Sequence, residues 1–203
     1  AIFLTGDLSQ DESSESYQLV IDALKDKNIE KYWIPGNHDS IKTMESVFSK
    51  QKLFIRTVRL ATSHWDFIFL NTKKLGTESG YLSSSELALL EEELIKTREK
   101  SICIVMHHHP IEVGTPLVDN YILSNKNEFW EIISKHNVKL VICGHVHGDY
   151  SLKNKNVNIE ISPATCLQWK KGSVDLKIEH QIGYKVYYFG KDHYVSETRI
   201  WNN

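Results

Sequence analysis

The chain has 203 residues, 41% of them hydrophobic and 25% charged, with a formal net charge of −2. That length suits one domain spanning residues 1–203, large enough to bury roughly 70% of its unfolded surface without disulfide staples. The near-neutral charge argues against a broad electrostatic footprint for nucleic acid or an acidic membrane, and no apolar run nears the roughly 20 residues of a membrane span.

Ala1–Thr5 reads as a strand ending in Gly6-Asp7, and residues 13–27 carry Leu19, Val20, Ala23 and Leu24 on one helical face. Lys31–Pro35 is a second strand, stopped by Pro35-Gly36. Ser40 then caps a short helix with Ile41, Met44, Val47 and Phe48 on its buried side. Leu53–Leu60 and Asp66–Asn71 read as a hairpin around Ser63-His64. Ser83 and Glu86 form a capping box, with Leu82 stapled onto Leu87, opening a helix that reaches about Glu99. Ile102–Met106 is apolar throughout, so both of its faces should be covered. Asn125 caps a helix marked by Phe129, Ile132, Ile133 and His136, and Val138–Cys143 is another buried strand. From Val157 onward only strands are expected, at 157–162, 173–179, 184–190 and 193–200. Strand–helix alternation followed by a meander predicts a layered α/β sandwich of two sheets. Cys103, Cys143 and Cys166 are an odd count without a CxxC pair, and read as reduced thiols of a cytoplasmic protein.

One count stands out: ten histidines. Six fall in Gly36-Asn37-His38-Asp39, His107-His108-His109-Pro110 and Gly144-His145-Val146-His147, and each cluster directly follows a predicted strand. Gly6-Asp7 does the same. The carboxyl ends of strands in an α/β sheet form one rim where ligands bind. Asp7, Asn37, His107, His145 and His147 should therefore meet there as a metal site. Oxygen and imidazole donors in this mixture suit Mn, Fe, Zn or Co, and no cysteine joins them to make a thiolate zinc site. His64, His136, His180 and His193 are expected at the surface, and His108 and His109 behind or beside the site.

These ordered motifs resemble those of the calcineurin-like metallophosphoesterases. Thr5-Gly6-Asp7-Leu8-Ser9-Gln10-Asp11, Tyr32-Trp33-Ile34-Pro35-Gly36-Asn37-His38-Asp39 and Ser162-Pro163-Ala164-Thr165-Cys166-Leu167-Gln168 are similar to the bacterial class III 3′,5′-cyclic-AMP phosphodiesterases, the Icc/CpdA family. The resemblance implies a four-layer αββα sandwich of two mixed sheets. It also implies two divalent metals, bridged by Asp7, with Asn37, His107 and His145 completing one site and His147 serving the other. His38 would stand by the scissile phosphate as charge stabiliser or proton donor, a catalytic rather than a metal-binding role. The family's upstream Asp-x-His strand has no counterpart in residues 1–6. The expectation is a piece of a longer polypeptide, lacking that N-terminal strand, whose present residues hold one metal better than two.

The function implied is metal-dependent hydrolysis of a 3′,5′-cyclic nucleotide to its 5′-monophosphate by a hydroxide bridging two metals. The partners expected are that small substrate and at most a second copy of the chain, with neither nucleic acid nor membrane. Three alternatives remain open at this point: another phosphoesterase of the superfamily, a non-catalytic scaffold of that fold, and a nucleotide-binding regulator.

Overall fold

The computed structural model describes residues 1–97 and 99–202. A six-stranded sheet forms its centre, built from β4 (Arg59–Ala61), β5 (Trp65–Phe69), β6 (Ser101–Met106), β7 (Val138–Cys143), β8 (Tyr150–Asn154) and β9 (Val157–Ile161) in the order β4-β5-β6-β7-β9-β8. Strands β5, β6, β7 and β9 run parallel, and antiparallel β4 and β8 close the two edges. Every residue of β6 is buried, as its apolar run requires.

One face of this sheet is covered by α3 (Ser84–Lys96), the short α4 (Pro116–Asp119) and α5 (Lys126–Ile133), around a core that includes Leu90, Leu94, Ile104, Phe129 and Ile133. The other face meets a second β layer in two pieces. Three parallel strands, β1 (Ile2–Leu4), β2 (Lys31–Trp33) and β3 (Phe54–Ile55), make one piece. The antiparallel ribbon of β12 (Gln181–Phe189) and β13 (Tyr194–Asn202) makes the other. Phe3 and Tyr32 from the first piece, and Phe189 and Tyr194 from the second, pack with Trp65, Phe67 and Phe69 of the central sheet. Edge-on ring pairs such as Phe3–Phe67 and Phe67–Phe189 bind this interlayer, each adding about 0.5–1.5 kcal/mol beyond its buried area. Outside the three-stranded piece lie α1 (Ser14–Leu24) and α2 (Ile41–Phe48), joined to it by Tyr17, Trp33, Met44, Phe48 and Phe54. The layer order is αββα. Among the described residues, no helix is long and apolar enough to cross a membrane.

Several local expectations change. Leu53–Leu60 is not one arm of a hairpin: Phe54–Ile55 joins β2 in the small layer, and only Arg59–Ala61 pairs with β5. The run is divided because Phe54 is buried beneath α1 and α2, while Leu60 belongs to the interlayer. Ser83 does cap α3 by accepting from the Glu86 amide, but the Glu86 carboxylate accepts from the Asn71 amide instead of returning to Ser83. That helix stops at Lys96. Asn125 precedes α5 without a side-chain cap, since its amide group bonds the backbone of Leu82 on both sides. Residues 173–179 supply only β11 (Ile178–Glu179), paired with β10 (Gln168–Trp169). Strand β8 alternates half-buried and exposed residues, and its few apolar side chains give it little signal in the sequence.

Candidate metal centre

Strands β1, β2, β6 and β7 all end at one rim, and the residues immediately beyond them converge. His107 leaves β6, and its Nδ1 lies 2.7 Å from the Thr5 carbonyl oxygen. A carbonyl only accepts, so the ring proton sits on Nδ1 and Nε2 offers a lone pair. That Nε2 lies 3.0 Å from Asn37 Oδ1, 3.1 Å from Asp7 Oδ2 and 3.2 Å from His145 Nδ1. His145 Nδ1 is in turn 3.1 Å from Asn37 Oδ1, while its Nε2 is buried without a partner. Two oxygens and two ring nitrogens thus face one another with too few protons to join them. Among the described residues no lysine or arginine pairs with the Asp7 carboxylate.

Electrostatics point the same way. Burial pushes the Asp7 carboxyl up, but the neighbouring His107 and the His38 amide outweigh it and hold the group below the usual carboxylate range. Burial, reinforced by His107, His108 and His109, pushes His145 far down, which keeps its imidazole neutral. Burial pushes His107 down, but the Asp7 carboxylate and the Thr5 carbonyl outweigh it and raise the ring, which shows the pull of this site for positive charge. A carboxylate, a carboxamide oxygen and imidazoles around one point form a donor set for a borderline divalent cation. The residues fit the ion that the fold implies.

The backbone is bent to reach this arrangement. Asp7, His145 and His147 have φ of 55°, 65° and 49°, the left-handed region that side chains rarely adopt; each costs of order 1–3 kcal/mol. Gly36 is required for a different reason: a Cβ there would stand 2.1 Å from Asp7 Oδ1. Asp39 ties the loops together. Its buried carboxylate accepts from the amides of Leu8, Ser9 and Gly36 at 2.8–3.1 Å and from the Tyr17 hydroxyl at 3.1 Å.

His38 sits at the mouth, about one third exposed. Its amide donates to Asp7 Oδ1 at 3.0 Å. The Gln10 amide nitrogen lies 3.2 Å from Nδ1, which must accept, so the proton of the neutral ring is on Nε2. His147 lies within electrostatic reach of Asp7, His107 and His38 but makes its hydrogen bond elsewhere. Its Nδ1 is 3.1 Å from the Leu167 carbonyl oxygen, and Trp169 stacks on its ring at 5.2 Å.

The other two residues of the triple histidine lie behind the centre. Donor atoms of His107, His108 and His145 lie within 4.8 Å of one another. Both nitrogens of His108 are nevertheless engaged, Nδ1 with the Thr72 hydroxyl at 2.7 Å and Nε2 with the Glu78 carbonyl at 3.0 Å. His109 is buried 3.5 Å from Asp119, which accepts from the amides of Val113 and Thr115. His64, His180 and His193 are exposed and His136 is half-buried.

Comparison with known proteins identifies the family. The model of the calcineurin-like phosphoesterases matches residues 1–149. The chain belongs to that family. It is 37% identical over 201 residues to a probable cyclic nucleotide phosphodiesterase of Coxiella burnetii, a match covering 98% of this chain and 81% of that protein. It is 35% identical to the 3′,5′-cyclic adenosine monophosphate phosphodiesterase CpdA of Vibrio vulnificus, covering 88% of this chain and 65% of that one. The corresponding protein of Escherichia coli K12 is 31% identical, with 83% of this chain matched to 62% of its length. This calcineurin-like chain therefore spans about two thirds of those two CpdA proteins. Among solved structures, a dimetal phosphatase from Danio rerio superimposes with a TM-score of 0.73 at 14% identity, over 97% of this chain and 80% of that one. At that identity the likeness speaks for the fold alone.

Proposed function

We propose that the protein is a metal-dependent phosphodiesterase that hydrolyses 3′,5′-cyclic AMP or a related cyclic nucleotide to the 5′-monophosphate. The observation carrying this reading is the convergence of Asp7 Oδ2, Asn37 Oδ1, His107 Nε2 and His145 Nδ1 within 3.0–3.2 Å of His107 Nε2 or of one another, with no side-chain cation among them. The names of the Coxiella, Vibrio and Escherichia relatives support the choice of a cyclic nucleotide.

Asp7, Asn37, His107 and His145 would hold one divalent ion of the Mn, Fe, Zn or Co type. His147 would serve a second. When bound, such ions polarise phosphoryl oxygens and make coordinated water acidic near neutral pH. The chain's own groups then divide the remaining work. Asp7 contributes its negative charge without taking up a proton, since His107 and the His38 amide favour its ionised form. Thr5 fixes the His107 ring by its carbonyl, so the same nitrogen always faces the centre. His38 presents Nε2–H at the open mouth, where it stabilises charge on the phosphate and gives a proton to the departing 3′ oxygen. The soluble substrate needs neither nucleic acid nor membrane contact, and we read the chain as one domain of a cytoplasmic protein, acting as monomer or homodimer.

Purified protein loaded with Mn²⁺ should convert cyclic AMP to 5′-AMP, and a chelator should stop the reaction. Turnover of an aryl phosphodiester without turnover of cyclic AMP would move the protein to another substrate class of the same family. No turnover of either, in protein carrying its metal, would leave only a scaffold or a regulator.

A further inference from the structure

Asn37 presents the centre with an ambiguity that its own chemistry does not resolve. A carboxamide has one accepting end and one donating end, and only the oxygen can serve a cation. In the structure Nδ2 donates to Glu78 Oε2. A carboxylate only accepts, so this contact fixes the amide with Oδ1 turned toward His107 and His145. The same carboxylate oxygen lies 3.7 Å from His38 Nε2. Glu78 therefore touches both a residue read as a metal ligand and the residue read as proton donor, although its side chain is 56% exposed.

An exposed side chain needs a held backbone to do this. His108 Nε2 donates to the Glu78 carbonyl, and the Gly80 amide bonds the Ile122 carbonyl while the Gly80 carbonyl accepts from Ser124. The loop lies against the His108 ring so closely that a Cβ at Gly80 would stand 2.5 Å from it. The second histidine of the triple, engaged at both ring nitrogens, thus seats the segment that carries Glu78.

We propose that Glu78 is a positioning residue of the centre: it orients the Asn37 carboxamide and holds the His38 ring at the mouth. The inference rests on the metal-site reading above. Its test measures Mn²⁺ affinity by calorimetry, with melting of the metal-free protein and kcat for cyclic AMP beside it. Glu78→Ala should weaken Mn²⁺ binding by about 10-fold, the lower end of what loss of such a supporting contact costs, and should lower kcat, with melting of the metal-free protein unchanged. Glu78→Gln keeps one oxygen for both Asn37 Nδ2 and His38 Nε2 and removes only the negative charge beside the His38 ring. It should bring Mn²⁺ affinity back close to wild type while leaving kcat depressed. Wild-type affinity and kcat in Glu78→Ala would overturn the proposal, as would equal Mn²⁺ losses in both variants, which would mean that charge rather than orientation matters. Wild-type protein that takes up no Mn²⁺ would overturn the metal reading itself, and this inference with it.

Discussion

Two aspartates at opposite ends of the strands, Asp66 in β5 of the central sheet and Asp7 just beyond β1 of the second layer, are completed differently. At the amino end Asp66, fully buried, is met by Arg59, by Lys100 and by the Thr97 hydroxyl. Its charge is balanced by side chains the chain supplies. At the carboxyl rim Asp7 faces a carboxamide oxygen and two imidazole nitrogens. Nothing there but a proton or an external cation can bring those lone pairs together. A finished ion pair belongs to the structure, whereas a set of donors lacking its cation belongs to a ligand.

Removing the rim carboxylate should do the most damage. Asp7→Asn is expected to lower kcat for cyclic AMP at least about 1,000-fold, the scale of losing a main electrostatic contact in the transition state, with a matching fall in Mn²⁺ content measured by elemental analysis. Full activity in that variant would end the contrast between the two aspartates. His38→Ala should lower kcat about 100-fold, within the range for a proton donor, at unchanged metal content. Loss of metal would make His38 a ligand instead.

At the other end, Asp66→Asn should cost about 2 kcal/mol of unfolding free energy, because Arg59 and Lys100 lose a buried partner while keeping access to water, and should leave Mn²⁺ affinity untouched. Denaturant melts and calorimetry check the two halves of that statement. The same residue sets a pH dependence. Burial raises the Asp66 carboxyl, but Arg59, Thr97 and Lys100 outweigh it and hold it below its usual range. A carboxyl depressed in the folded state adds stability that is complete above its unfolded value of about 3.9 and is lost as pH falls through the folded one. Wild-type stability should therefore decline more steeply than that of Asp66→Asn below about pH 4. The smallest effect concerns thiols. Cys103 and Cys143 are fully buried and burial pushes both thiols up, while Cys166 is exposed. A disulfide reagent should label only Cys166 in the native protein, and faster labelling of the other two would show that the central sheet opens.

The rim was legible because strand ends are legible. Apolar runs such as Ile102–Met106 end abruptly in polar residues, and several such endings with metal-binding side chains point to one edge of a sheet. Asp39 lay within a motif that was read, yet its task was not visible: its partners Leu8 and Ser9 are 30 or more positions away in sequence. Glu78 had no local signal, since an exposed acid in a polar loop looks like any solvated charge. Glu86 misled for the opposite reason. Its spacing from Ser83 promised a reciprocal cap, and the Asn71 amide arriving from β5 claimed its carboxylate.

The sequence by itself determined which residues stand at the rim and which chemistry they suit, because strand periodicity and side-chain type are local properties. Tertiary structure decided what orients His107, what engages His108 behind it and which carboxylate holds Asn37. Those outcomes depend on lone pairs and protons meeting within about 3 Å across segments far apart in the chain. They also depend on strained φ values at Asp7, His145 and His147 that only the packed fold can sustain.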